Sequence, residues 1–279
     1  MNRSRWKRTA SVALASLLGV SVAFSGASAA GAHSAPSKPD SASDVGLRVI
    51  GLGDSVLTAL DRCHCPGLLV DYAGLVADRV QERIRVQNEA HGSSTSGDLM
   101  KVLHDGTVQS EIRNVDLVVI FAGANDFSNA FQRVTDGASP QKQYGPIAAR
   151  LQHNISNAID EIHRLNSDAK VVVCGYWNDF KDGAVAQRKY SANKRRAAAE
   201  ATRLTNEALW HAAENGHVQY LSTLRLFQGR GDTTELLAAD GDHLSAKGHA
   251  VIAQALADMM HPAEQGSSSP LDPGLTQSP

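Results

Sequence analysis

Five apolar runs of strand length recur along the chain, and between them the apolar residues switch to helical spacing. The runs are GLRVIGLG (residues 46–53), the short RIRVQN (83–88), VDLVVIFAG (115–123), KVVVCGYW (170–177) and the weaker HVQYLST (217–223). The third is continuously apolar, as in a strand buried on both faces. Leu69, Tyr72, Val76 and Val80 form one helical face within residues 68–82. A long helix is expected from Gly145-Pro146, because proline suits a first helical turn. Ile147, Leu151, Ile155, Ile159 and Ile162 continue it. Another helix is expected over residues 193–215, stopping at Gly216 as its cap. The last has Ser245 as N-cap, carries Ile252, Leu256 and Met259 on one face and ends before Pro262. Such alternation predicts an α/β fold, a parallel sheet with helices on both faces. Ligands of such sheets bind beyond the carboxyl ends of the strands.

The flanking segments read differently. Residues 1–29 have the form of a signal peptide: Arg3, Arg5, Lys7 and Arg8, then an apolar stretch too short to span a bilayer comfortably, then Ala27-Ser28-Ala29 as an A-x-A cleavage site. Residues 30–45 and 263–279 are small, polar and proline-containing, which predicts a disordered linker and tail. The folded part is therefore residues 46–262, one domain in size. The expectation is a secreted protein with no stable membrane anchor after cleavage. A formal charge of -2 in 279 residues supplies no basic excess for nucleic acid, and loss of the four leader cations makes the chain more acidic.

In an exported protein, Cys63 and Cys65 of DRCHCPG are the pairing candidates for a disulfide, although the ring they close is very small. A metal reading would join Cys63, His64 and Cys65, but it has no clear fourth ligand and crowds one turn, so no metal is expected. Cys174 lies in an apolar run and reads as a buried thiol.

Chemistry is sought just after each run. Gly51-Leu52-Gly53-Asp54-Ser55-Val56 has valine where a G-x-G-x-x-G phosphate loop needs its third glycine, and no lysine follows for a G-K-S/T loop. The G-x-S-x-G elbow fails too, with Leu57 at its last position. Ser55 is left as a helix N-cap or a nucleophile. A nucleophilic serine needs a base, and the base needs an orienting carboxylate. Asp240 and His243, three apart before the last helix, suit those roles better than the adjacent Asp242. Asn125 of GAND can donate to an oxyanion, as can the backbone at Gly92 in NEAHGSSTSGDL; each is also an ordinary turn residue.

In this order the motifs resemble those of the SGNH (GDSL) hydrolase family: Gly53-Asp54-Ser55, Gly92, Gly123-Ala124-Asn125-Asp126 and Asp240-Gly241-Asp242-His243. The resemblance covers about residues 47–260. It implies a three-layer α/β/α, flavodoxin-like fold with roughly five parallel strands. It implies Ser55 as nucleophile, His243 as general base and then acid, Asp240 as its orienting carboxylate, and an oxyanion hole from Ser55 N–H, Gly92 N–H and the Asn125 side chain. The family often has a further glycine soon after G-D-S, where this chain has VLTAL. The second block looks one residue longer than the commoner GATSxDL, which leaves Ser93 as the alternative donor to Gly92. The implied activity is a secreted serine esterase working through an acyl-enzyme without a cofactor, on lipid, short acyl or acetylated sugar esters. The alternatives are a non-catalytic glycan- or lipid-binding protein on the same fold and a flavodoxin-type phosphate or flavin binder. Trp177, Phe180, Phe127 and Phe131 could line an acyl pocket or serve as loop anchors and core. Oligomeric state is not legible.

Overall fold

The computed structural model describes residues 46–58, 63–178, 180–230 and 232–262. The signal peptide, linker and tail expected from sequence lie outside the described residues. The five apolar runs form β1 (Leu47–Gly53), β2 (Ile84–Asn88), β3 (Leu117–Phe121), β4 (Lys170–Cys174) and β5 (Gln219–Leu221). They make one sheet in the order β2-β1-β3-β4-β5, with every pair parallel. All five residues of β3 are buried, which accounts for its unbroken apolar sequence.

The helices are α1 (Ser55–Thr58), α2 (Leu68–Val80), α3 (Ser96–Leu103), α4 (Gly106–Ile112), α5 (Ser128–Thr135), α6 (Pro140–Leu165), α7 (Gly183–Lys189), α8 (Ala192–Asn215), α9 (Thr223–Gln228) and α10 (Ala246–Met260). From β1 the chain crosses to β2 on one side; from β2 it returns past β1 and continues outward through β3, β4 and β5. Right-handed crossovers therefore put α2 on one face of the sheet and the helices after β2, β3 and β4 on the other. The packing agrees: α2 lies against α10, and α6 lies against α8. The result is a three-layer α/β/α arrangement. The direction of travel reverses between β1 and β3, and the crevice at their carboxyl ends is where such sheets bind ligands.

Three helix details differ from the sequence reading. Helix α6 starts at Pro140, not at Gly145-Pro146. Pro140 takes the early position that suits proline, and Pro146 lies inside the helix. Burial of Tyr144 holds the added turn: its hydroxyl donates to the Ala197 carbonyl and its ring packs edge-on against Phe127. Helix α8 does stop at Gly216 as its C-cap, as expected, but Gly216 has φ of -82° and the left-handed residue is His217. A Cβ at Gly216 would lie 2.8 Å from Ile159, so close packing, and not a left-handed cap, explains this glycine. On α10 the buried methionine is Met260, with Met259 only partly covered. Ser245 does cap α10, accepting from the Gly248 N–H.

Candidate active site

Strand β1 ends at Gly53 with φ of +139°, and a Cβ there would fall 1.7 Å from the Phe121 carbonyl oxygen of β3. Only glycine fits this turn. The next N–H, from Asp54, donates to that same carbonyl at 2.8 Å. Asp54 then caps α1, its carboxylate accepting from the Val56 N–H at 3.0 Å. This corrects one reading of Ser55: the cap is Asp54, and Ser55 is the first helical residue, with its hydroxyl free for other contacts. Asp54 is itself buried and accepts from the Tyr176 hydroxyl at 2.6 Å. Burial pushes its pKa up to about 6, against the opposing effects of Tyr176, the Val56 N–H and the charge of His243.

The chain returns to this point 188 residues later. The turn from Asp240 to His243 is pinched by a bridge between Leu237 and Leu244 and by the Ala238 N–H donating to the His243 carbonyl. Asp240 Oδ1 accepts from the Asp242 and His243 N–H groups at 3.0 and 3.1 Å. That leaves Asp240 Oδ2 facing His243 Nδ1 at 2.8 Å. The other ring nitrogen, Nε2, lies 3.2 Å from Ser55 Oγ. Asp242 stands 3.8 Å from Nδ1, beyond hydrogen-bond range. Partial burial alone would raise the Asp240 carboxyl, but bonds from the Asp242 N–H, the His243 ring and the His243 N–H hold it below its ordinary value. His249, one turn into α10, is buried; burial first and the His243 charge second push its pKa down to about 4.

Asn125 sits in a 3-10 turn, Ala124–Phe127, directly after β3. Its amide donates to the Ser94 carbonyl at 3.0 Å, which leaves its second N–H available. Asp126 fixes the neighbouring loop by accepting from the Ser96 N–H at 2.8 Å and the Ser96 hydroxyl at 2.6 Å. Asn154 of α6 donates to that same hydroxyl. Thr95 and Asp98 cap α3 reciprocally, so the loop after β2 is anchored on both sides. Within it, Ser93 has φ of +65°, and a Cβ at Gly92 would meet no protein atom. Any requirement for glycine at position 92 must therefore come from what binds there, not from the protein's own packing.

Ser55, Gly92, Ser93, Asn125 and His243 all line one cleft of about 250 Å³. The arrangement joins a hydroxyl, an imidazole and a carboxylate in sequence, with amide donors across the cleft, which is the equipment for acyl transfer through a serine. A second, mainly apolar cavity of about 70 Å³ shares Ala124, Ser128, Tyr176 and Phe180 with the cleft and continues past Phe127 and Phe131 to α8. Phe131 stacks on Phe180 at 5.7 Å. Trp177 is buried and stacks on Phe227 at 5.6 Å, while it also edges the cleft. Sequence reasoning gave no role to Tyr176, Ser96 or Asn154. Asp126 was visible only as the last letter of GAND.

Residues 52–251 match the model of the GDSL-like Lipase/Acylhydrolase family. The uncharacterized protein YpmR of Bacillus subtilis (strain 168) is 24% identical over 202 residues, covering 66% of this chain and 71% of that one. Among solved structures, the lipase Lip_vut3 from a goat rumen metagenome superposes with a TM-score of 0.64 at 17% identity, covering 76% of this chain and 96% of the other. An acetyl xylan esterase from Geobacillus stearothermophilus gives 0.56 at 18% identity, covering 80% and 98%. At such identities the structural likeness speaks for the fold.

Proposed function

Because the chain belongs to the GDSL-like lipase/acylhydrolase family and is a serine hydrolase of that type, we propose that it is a secreted esterase cleaving carboxylic esters through an acyl-enzyme on Ser55. The observation that carries this reading is the run of contacts from Asp240 through His243 to Ser55, at 2.8 and 3.2 Å, opening on a cleft that adjoins an apolar cavity. In the first half-reaction His243 takes the Ser55 proton as Oγ attacks the ester carbonyl. His243 then protonates the departing alcohol, and a water activated in the same way releases the acid. Asp240 holds the ring with Nε2 toward Ser55. The Ser55 N–H, the Asn125 amide and the Gly92 N–H, with Ser93 as the alternative to Gly92, receive the negative oxygen.

The cavity past Phe127, Phe131 and Phe180 favours an acyl group of short to medium length, seated away from water. Solved relatives in fold include a lipase and an acetyl xylan esterase. The size of the cavity, and not the relatives' names, makes the proposed substrate a small ester. Export is supported by the leader-like residues 1–29 and by the Cys63–Cys65 disulfide, which suits an oxidising compartment. Among the described residues no helix is long and apolar enough to cross a membrane.

The test is turnover of p-nitrophenyl esters of increasing chain length, beside acetylated glycans, by the wild type and Ser55→Ala. The variant should lose on the order of 10³–10⁶ in kcat while melting like the wild type. Unchanged turnover would sink the assignment of Ser55. Mass analysis of the secreted protein should find an N-terminus near residue 30, and an intact leader on it would refute export by cleavage.

A further inference from the structure

Cys63 and Cys65 are joined by a disulfide, and neither lines the cleft. His249 of α10 is packed beside them. One donor atom from each of the three residues lies within 4.8 Å of the other two, which makes this the one such group of metal-ligating side chains among the described residues. His249 is 2% exposed, and its Nδ1 has no hydrogen-bond partner. Buried ring nitrogens are normally satisfied, and an apolar side chain would fill this space without that cost. His64, which sequence alone would group with the cysteines, is exposed and stands outside the cluster.

We propose that the Cys63–Cys65 bridge is the oxidised, closed form of a thiophilic metal site, which on reduction binds one Zn²⁺ through both thiolates and the His249 imidazole. Two sulfurs and one neutral nitrogen are a zinc donor set, and they disfavour Mg²⁺ and Ca²⁺, which take oxygen. The fourth position is left to water or an outside donor. Cys63 is only half-buried, so the site has an entry path. Opening requires a dithiol reductant: its two thiols give two electrons and two protons to the S–S bond and close into their own disulfide. Zn²⁺ then displaces both cysteine protons to solvent. The bridged residues are two apart, so breaking the bond frees almost no loop and the domain stays folded. The ion would act outside the serine chemistry, since the ester reaction above does not use it.

The full chain, reduced with a dithiol and freed of it without air, is titrated with Zn²⁺ against a chromogenic chelator. One Zn²⁺ per reduced chain is expected and none per oxidised chain. Cys63→Ser/Cys65→Ser should abolish binding, and His249→Asn should weaken it about 100-fold or more, since even outer partners of a ligand are worth about 10–100-fold. Failure of the reduced chain to bind, equal binding by both redox forms, or undiminished affinity in a folded His249→Asn overturns the proposal. If His249→Asn does not fold, zinc X-ray absorption of the reduced wild type decides. A shell of two sulfurs with an imidazole supports the site, and a shell lacking either overturns it.

Discussion

The Tyr176 hydroxyl donates to the Asp54 carboxylate at 2.6 Å, and both residues are buried, Asp54 directly before Ser55 in the chain. The folded-state pKa of Asp54 is raised from 3.8 to about 6, mainly by burial. The folded protein therefore binds this proton more tightly than the unfolded chain. The resulting stabilisation is complete below pH 4 and is lost as pH rises through 6. A displacement of this size corresponds to about 3 kcal/mol. Asp54→Asn removes the titration and keeps an acceptor for Val56. Thermal melts across pH 4–7 should show wild type gaining on the variant as pH falls from 6 to 4; a constant gap would refute the assignment. Tyr176→Phe takes away the bond that lowers this pKa, so it should move the window to higher pH.

Asp240 and Asp242 flank the same imidazole at 2.8 and 3.8 Å, which separates their roles. Asp240→Asn should cost roughly 10²–10⁴ in kcat, because the ring loses its orienting anion. Asp242→Asn should stay within about threefold, as expected for a charge outside hydrogen-bond range. Equal losses in the two variants would contradict the assignment.

Gly53→Ala places a methyl group on the Phe121 carbonyl at a φ that side chains rarely adopt. The expected loss is about 3 kcal/mol or more, read from urea unfolding. Gly92→Ala is the informative contrast. Its methyl meets no protein atom, so stability should hold within about 0.5 kcal/mol while ester turnover falls if substrate sits against that backbone.

Ala201 lines the apolar cavity from α8. Ala201→Phe should shorten the acyl chain accepted. The ratio of octanoate to acetate turnover is expected to drop roughly tenfold or more, since each methylene in a pocket is worth about 1–3 kcal/mol. An unchanged chain-length profile would show that the acyl group lies elsewhere.

The strand runs and the four motif blocks were legible because each is local: an unbroken β3, or a glycine and a polar residue just past a strand. The short helices α3 and α4 were missed although their start signals are present, with Thr95 and Asp98 capping one and Asp105 the other. Neither segment is long enough for periodicity to stand out. The start of α6 was misplaced because two prolines compete for the same role, and the choice depends on Tyr144 meeting Ala197 and Phe127. Whether Phe127, Trp177 and Phe180 are core or lining depends on which neighbours cover them. The grouping of His249 with Cys63 and Cys65 depends on α10 docking beside that loop, and no spacing encodes it.

The separation of 188 residues between Ser55 and His243 also sets when activity can begin. Ser55, the proposed nucleophile, leaves the ribosome early, and His243, its proposed base, is among the last residues of the folded region to follow. The base arrives only when α10 settles against α2, where Arg79 bonds Asp258 and the His261 carbonyl. A chain still being made, with α10 not yet formed, lacks the proposed base beside the proposed nucleophile. The order of synthesis thus acts as a built-in delay: on the proposed reading, hydrolysis begins only once the last helix has docked.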